Sequence, residues 1–140
     1  MIALDSIFRE YDIRGVFGKD FDPEFALWLG RAFAQLVRET GSTSSARPVV
    51  GVGFDCRTSA PELTQSLVQG LTEGGMDVVN GGMGPTPQLY YMVFSGHLAG
   101  GIMITASHNP GDQNGFKMMV GEKTLSGPDI RGLKDRIEQL

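Results

Sequence analysis

The segment best suited to chemistry runs from Thr105 to Gly111 and reads Thr-Ala-Ser-His-Asn-Pro-Gly. It follows an apolar run typical of a β-strand, and its Asn-Pro-Gly turn reverses the backbone directly after that strand. We therefore expect the hydroxyl of Ser107 to lie exposed on a constrained loop at a strand end. Lys117 follows ten residues later and is expected to bring a cation to the same place. A serine that carries a phosphoryl group needs such cations and hydrogen-bond donors around it.

Other chemical uses of Ser107 fit the sequence less well. The nucleophile elbow of hydrolases has glycine two positions on either side of the serine, whereas here those positions hold Thr105 and Asn109. His108 is adjacent to Ser107 in the chain, which is an awkward position for the base of a Ser-His-acid triad. A purely structural role stays open at this point, because serine in a turn often hydrogen-bonds only local backbone.

The other candidate motifs do not favour a nucleotide or metal site. Residues 51–56 begin like a dinucleotide-binding fingerprint, but Cys56 stands at the third glycine position. No Walker A loop is present in the sequence. Asp20 and Asp22 form a carboxylate pair, which turn formation and helix capping explain. The chain therefore offers no convincing metal site built from protein ligands alone.

Two more segments follow predicted strands and are candidate ligand-binding segments, because ligands gather at the carboxyl ends of strands in α/β sheets. They are residues 55–59 and 81–87. In the first of them, Arg57 is expected either to form an ion pair with Asp55 or to act in the site. Cys56 is expected to be a buried or half-buried small side chain.

The elements that must position these segments alternate along the chain. Predicted strands are the apolar, β-rich runs at residues 49–54, 76–79, 100–105 and 116–120. Apolar residues at helical spacing predict helices that begin at Pro23, at the capping-box pattern of residues 59–62, at Thr86 and at Pro128. This alternation predicts an α/β fold, a three-layer α/β/α sandwich with a mostly parallel (mixed) sheet of about four strands, formed by residues 1–140 as a single domain.

Composition narrows the class of protein further. The 140 residues carry a net charge of −4, with 41% hydrophobic and 20% charged residues, which is typical of a globular domain. The acidic balance argues against a nucleic-acid partner. No apolar run approaches the about 20 residues of a membrane span, so no membrane partner is expected. A single cysteine excludes an internal disulfide, and we expect a cytoplasmic protein.

Four segments together resemble the α-D-phosphohexomutase superfamily, which comprises phosphoglucomutases and phosphomannomutases. They are Phe-Arg-Glu-Tyr-Asp-Ile-Arg-Gly at residues 8–15, Gly-Phe-Asp-Cys-Arg-Thr-Ser at 53–59, Thr-Ala-Ser-His-Asn-Pro at 105–110 and Asn-Gly-Phe-Lys at 114–117. The resemblance spans essentially the whole chain. It corresponds, however, to only the first of the family's four domains.

The resemblance implies a reversible conversion between hexose 1-phosphate and hexose 6-phosphate, of glucose or mannose, through a bound 1,6-bisphosphosugar. Ser107 would carry the phosphoryl group, which an activator of the glucose 1,6-bisphosphate type would install. The phosphate on Ser107 would give one oxygen to Mg²⁺, whose other ligands would lie outside this chain. The groups implied around the transferring phosphoryl group are Tyr11, Arg14, His108, Asn109 and Lys117.

The residue types suit these implied roles. Arg14 can hold two phosphate oxygens as a fork, whereas Lys117 acts as a point charge that can assist proton movement. The family's metal loop of three alternating aspartates is absent, as are its later loops for the sugar and the second phosphate. The isolated domain is therefore expected to be inactive and to need the missing domains as partners. The alternatives are a phosphosugar-binding module without catalysis on the same scaffold, and an interaction domain that uses its apolar helix faces.

Overall fold

The computed structural model of the protein describes residues 4–40, 47–107 and 109–140. Helices and strands alternate along most of it, as the sequence predicts, and three strands follow one another before the last helix. The helices are α1 (Leu4–Ile7), α2 (Pro23–Thr40), α3 (Ala60–Glu73), α4 (Thr86–Gly96) and α5 (Pro128–Glu138). The strands are β1 (Ile13–Val16), β2 (Val49–Phe54), β3 (Asp77–Met83), β4 (Gly100–Ile104), β5 (Gln113–Val120) and β6 (Lys123–Thr124).

The strands form one mixed sheet in the order β1-β5-β4-β2-β3, with β6 paired to β5. Strand β2 is parallel to β3 and β4, whereas β5 is antiparallel to β1, β4 and β6. The α/β/α class is confirmed, but the sheet has six strands rather than about four. The two additional strands, β1 and β6, are too short to give an apolar run in the sequence. Strand β5 is antiparallel to β4 because a short loop, rather than a helix, joins the two strands.

The larger core lies on the face of the sheet that α2, α3 and α5 cover. Its centre is a cluster of three buried rings, Phe21, Phe25 and Phe116, whose centroids are 5.7 to 6.0 Å apart. Phe25 begins the apolar stripe of α2 that the sequence predicts, and Leu29 and Phe33 continue it one turn at a time. This stripe fixes α2 against β5.

A smaller core lies on the opposite face, which α4 covers. Successive residues of a strand point to opposite faces, so Met103 and Met119 pack under Leu89 and Val93 of α4 rather than into the larger core. Around this small core, several large apolar side chains are exposed. They are Val79, Met83, Tyr91 and Phe94. No helix among the described residues is both long enough and apolar enough to cross a bilayer.

The predicted helix starts are correct, but only one of the two predicted caps forms. The backbone N–H of Phe25 donates to Asp22 Oδ1 at 2.9 Å, so Asp22 caps α2 as predicted. Ser59 does not cap α3, because its backbone is already helical (φ −79°, ψ −12°) and its hydroxyl instead accepts a hydrogen bond from Asn114 Nδ2 at 2.8 Å. Gly41, which the sequence predicts to end α2 because glycine is frequent just past a helix C-terminus, lies outside the described residues.

Helices α2 and α3 touch backbone to backbone at Gly30 and Gly70. A Cβ atom on Gly70 would overlap the carbonyl oxygen of Leu27, and one on Gly30 would lie 2.6 Å from the carbonyl oxygen of Leu67. We expect Gly70→Ala to lower the free energy of unfolding by about 1–3 kcal/mol, because the added methyl forces the helices apart. Chemical denaturation measures this loss.

The matched control for that substitution is Gly132→Ala in α5, where an added Cβ would meet no atom within 4 Å. This variant should be neutral or more stable by up to about 1 kcal/mol, because alanine favours the helix. Equal destabilisation of both variants would contradict the close helix contact.

Candidate active site

The loop from β4 to β5, residues 105–112, is called the serine loop below. Ser107 is exposed in it and has a φ of 55°, a left-handed conformation uncommon for residues other than glycine. Its backbone N–H donates to Thr105 Oγ1 at 3.0 Å, and the N–H of Asn109 donates to the Ala106 carbonyl at 3.0 Å. The serine hydroxyl is thus presented outwards at a strand end, as predicted. The neighbouring His108 lies outside the described residues.

The structure brings Arg14 to the serine loop, although 95 positions separate it from its partner there. Arg14 Nη1 donates to Asn109 Oδ1 at 3.2 Å. Its Nε and Nη2 donate to a single oxygen, Asp12 Oδ2, at 3.0 and 2.6 Å. Asn109 is in turn oriented by donating from Nδ2 to Gln113 Oε1 at 2.7 Å. Two predicted site residues are therefore in contact, and Asp12 is a positioning residue that the sequence did not single out.

Lys117 lies on the same face of the sheet as Arg14. Arg14 is the cross-strand partner of Gly115, and Gly115 and Lys117 are two residues apart on β5. A Cβ on Gly115 would overlap the carbonyl oxygen of Ile13, so glycine is what allows β1 to approach here. Lys117 is half-buried, and no carboxylate in the described part of the chain lies within 4.0 Å of its ammonium group. Its charge is therefore not compensated locally.

The structure does not place Tyr11 in contact with the serine loop. Its side chain is 70% exposed just before β1, and it makes no hydrogen bond within residues 4–40, 47–107 and 109–140. Tyr11 is close to Arg14 in the sequence, three positions before it.

A second network, formed by the segment after β2, reaches the serine loop. Asp55 Oδ2 accepts hydrogen bonds from Thr105 Oγ1 at 2.7 Å and from Arg57 Nε at 3.2 Å. The predicted ion pair of Asp55 with Arg57 is therefore present, and Arg57 donates further to carbonyl oxygens of the loop. The prediction for Cys56 was wrong, because its side chain is exposed. Its neighbours Asp55 and Arg57 both hydrogen-bond to the serine loop, and Cys56 between them faces the solvent.

An open groove of about 270 Å³ lies on the Lys117 face of the sheet. Met103, the cross-strand partner of Lys117, forms part of its floor. Its wall is formed by Gln88, Tyr91 and part of the third segment that the sequence singled out, namely Gly81, Gly82, Gly84 and Pro85. The groove thus lies between α4, where Tyr91 is exposed, and the position on β4 opposite Lys117.

The remaining carboxylates that the sequence considered have local structural roles. Asp20 Oδ2 accepts from the backbone N–H of Val16 at 2.7 Å, and Asp22 caps α2. Within the described ranges, no group of three or more His, Cys, Asp or Glu side chains is arranged to hold a metal ion. The interpretation of these aspartates as turn and cap residues is therefore correct.

Comparison with known proteins places the chain in a family. The model of the phosphoglucomutase/phosphomannomutase alpha/beta/alpha domain I matches residues 5–140. The phosphomannomutase/phosphoglucomutase of Pseudomonas aeruginosa strain PAO1 is 48% identical over 136 residues, which are 96% of this chain and 28% of that protein. A phosphoglucomutase of Neisseria meningitidis serogroup B is 44% identical over 138 residues, 99% of this chain and 29% of that protein.

A solved structure agrees with this result. The crystal structure of a phosphoglucomutase/phosphomannomutase family protein from Burkholderia thailandensis superimposes with a TM-score of 0.89 at 43% identity, covering 99% of this chain and 31% of that one. The chain thus spans less than a third of the length of these relatives. The chain belongs to the phosphoglucomutase/phosphomannomutase family and corresponds to its α/β/α domain I.

Proposed function

We propose that this chain is the phosphoserine-bearing domain of a phosphohexomutase that interconverts hexose 1-phosphate and hexose 6-phosphate of glucose or mannose. The observation that carries the proposal is the exposed Ser107 hydroxyl on a loop to which Arg14 is bound, with the uncompensated Lys117 on the same face of the sheet. Phosphoryl transfer requires alignment and positive charge rather than much covalent help from the protein.

The proposed reaction starts with Ser107 phosphorylated. A sugar hydroxyl attacks the phosphorus and the bond from phosphorus to Ser107 Oγ breaks. The attacking hydroxyl gives up its proton and Ser107 Oγ takes up a proton, so the serine returns to its neutral hydroxyl form. The product is a bound 1,6-bisphosphosugar, which reorients so that its other phosphoryl group returns to Ser107 Oγ. An activator of the glucose 1,6-bisphosphate type supplies the first phosphoryl group by the same transfer.

The chain's own side chains have separate roles in this proposal. Of the five N–H donors of Arg14, three bind Asp12 and Asn109, and the other two remain for phosphate oxygens. Lys117 stabilises the charge that develops on the transferring group and assists the proton transfer. His108 and Asn109 complete the surroundings of the phosphoryl group, and Tyr11 contributes to the rim of the cleft.

The proposal includes Mg²⁺ as the metal of the complete enzyme. Mg²⁺ requires about six oxygen ligands in octahedral geometry, and the described residues do not provide such a set. The contribution of this chain would be one phosphate oxygen on Ser107, and the remaining ligands would come from elsewhere in the protein. When bound, the ion supplies charge neutralisation at the phosphate.

The partners in the proposal are the phosphosugar and the remaining domains of the same protein. The relatives are more than three times as long as this chain, and Met83, Tyr91 and Phe94 expose apolar surface to which further domains could pack. We therefore expect no turnover from the 140 residues alone. The single cysteine is compatible with the cytoplasmic location that we include in the proposal.

The role of Asp12 can be tested by Asp12→Asn in the full-length enzyme. The amide cannot hold the guanidinium of Arg14 by charge, so Arg14 loses its orientation towards the phosphate. We expect kcat to fall about five- to tenfold, with little change in the KM for glucose 1-phosphate, measured in a coupled mutase assay. Asp77→Asn is the matched control, because it breaks an exposed ion pair with Arg47 and should leave kcat unchanged. An unaltered kcat in Asp12→Asn would argue against Arg14 as a ligand of the transferring phosphoryl group.

The proposed function as a whole is tested by adding glucose 1,6-bisphosphate to the full-length protein and measuring its intact mass. A gain of one phosphoryl group, together with mutase turnover on glucose 1-phosphate or mannose 1-phosphate, is the expected result. Tight binding of the phosphosugar without a mass change or turnover would overturn the proposal in favour of a binding module. The 140-residue chain is measured in parallel to test its expected inactivity.

A further inference from the structure

We infer that Arg57 is a positioning residue that fixes the backbone of the serine loop and thereby the direction of the Ser107 hydroxyl, without binding the phosphosugar itself. The expected effect of Arg57 on phosphoryl transfer rests on the function proposed above. The inference that Arg57 fixes the loop rests only on contacts within the chain.

Arg57 uses all of its N–H donors inside the protein. The guanidinium group has five such donors. The first, the N–H of Nε, donates to Asp55 Oδ2 at 3.2 Å. The other four reach backbone carbonyl oxygens of the serine loop and its junction with β5. They are Pro110 at 2.7 Å and Gln113 at 3.2 Å from Nη1, and Ser107 at 2.8 Å and Asn109 at 3.0 Å from Nη2. No donor is left for a substrate phosphate, in contrast to Arg14.

Burial and charge agree with a role inside the protein. The side chain of Arg57 is only 9% exposed, and its charge is compensated by the carboxylate of Asp55. Buried arginines need such partners, because an unsatisfied donor would be costly. Arg57 therefore behaves as an internal support of the loop and not as a surface cation.

The contacts close a ring around Ser107. Arg57 binds the carbonyl oxygen of Ser107, and Asp55 binds both Arg57 and Thr105 Oγ1. That same Oγ1 accepts a hydrogen bond from the N–H of Ser107 at 3.0 Å. The backbone of Ser107 is thus held on both sides by one network anchored on β2.

This restraint matters because of the backbone conformation of Ser107. Its φ of 55° is unfavourable for a residue with a side chain and persists only where the surroundings enforce it. Without the carbonyl contacts of Arg57, Ser107 is free to return to a negative φ, which turns its Cα–Cβ bond away from the present direction. In-line transfer is sensitive to displacements of about 1 Å, so such a turn would slow the reaction.

Lysine cannot replace Arg57 in this role. A lysine ammonium group keeps the charge next to Asp55, but its donors diverge from one nitrogen and cannot span four carbonyl oxygens. Arg57→Lys therefore separates the charge of the residue from its geometry. Thr105→Val gives a second, nearly isosteric variant that breaks the same ring at Asp55 and at the N–H of Ser107.

The experiment compares Arg57→Lys and Thr105→Val with wild type in the full-length enzyme. Amide hydrogen exchange reports the order of residues 105–113, and steady-state kinetics with glucose 1-phosphate separate kcat from KM. We expect exchange in the loop to accelerate at least about tenfold and kcat to fall about 10- to 100-fold, with KM changed by less than about twofold. Arg31→Lys is the matched control, because Arg31 forms an exposed ion pair with Glu73, and it should change neither.

The outcomes distinguish the inference from the proposed function. If wild type acquires no phosphoryl group from glucose 1,6-bisphosphate, the proposed function fails, and the exchange data still decide whether Arg57 orders the loop. If wild type is phosphorylated but both variants keep its kcat and its loop exchange, the inference is wrong. A rise in KM at unchanged kcat in Arg57→Lys would also overturn it, because Arg57 would then bind substrate. If Arg57→Lys does not fold, Thr105→Val decides alone.

Discussion

Replacing Ser107 with alanine is expected to remove phosphorylation completely and to lower the kcat of the full-length mutase by about 10³-fold or more. The substitution removes the oxygen to which the phosphoryl group is bound in the proposed mechanism. Intact mass after treatment with glucose 1,6-bisphosphate and a coupled assay with glucose 1-phosphate measure the two effects. No other group in the proposal can take over this bond.

Two further variants show whether the loss comes from the hydroxyl or from the loop. Ser107→Gly also removes the hydroxyl but accepts the positive φ at this position without strain, so it should be as inactive as alanine. Ser66→Ala, a half-buried serine on α3, should keep full activity. Phosphorylation of Ser107→Gly on another residue, with activity retained, would show that Ser107 does not carry the phosphoryl group.

Lys117→Ala is expected to lower kcat by about 10²- to 10⁴-fold while changing KM by less than about threefold. Lys117 is half-buried and has no carboxylate within 4.0 Å of its ammonium group in the described part of the chain, so in the proposed mechanism its charge acts on the transferring group with little compensation. That interaction is strongest when negative charge develops in the transition state. Steady-state kinetics over a range of glucose 1-phosphate concentrations separate the two constants.

The control for Lys117 is Lys123→Ala, which removes an exposed lysine from the neighbouring strand β6. It should leave both kinetic constants within about twofold of wild type, because an exposed charge is screened by solvent. If Lys117→Ala raised KM and left kcat intact, Lys117 would be a ground-state ligand of the phosphosugar, and its assignment to the transferring phosphoryl group would be incorrect.

Local chemistry explains which parts of the fold could be predicted. Asp22 and Pro23 define the start of α2, and Pro128 defines that of α5, because capping and a fixed φ act over one turn. Strand β3 was predicted too short, since Gly81 and Gly82 are typical of a turn. In the structure they continue the strand through a register shift opposite β2, with Gly82 at a φ of 75°.

The candidate site was predictable only in part, because its network joins distant segments. The exposure of Ser107 follows from residue types and the preceding strand end, whereas Arg14 was expected near it only from the family resemblance. The contacts of Arg57 with the serine loop span 50 or more positions, and those of Arg14 span 95. No periodicity in the sequence reports such pairings. The same limitation explains the failed cap at Ser59, whose hydroxyl is bound by Asn114 of β5.

The two faces of the sheet have a consequence for how this domain can vary between species. The larger core, with α2, α3 and α5, lies on one face, whereas Arg14, Lys117 and the groove lie on the other face, where α4 packs on β2 and β4. Substitutions in the larger core therefore alter mainly how much folded protein accumulates in the cell. On the α4 face, exposed positions such as Tyr91 lie outside both cores, so substitutions there can accumulate by natural drift or directed evolution with little effect on folding.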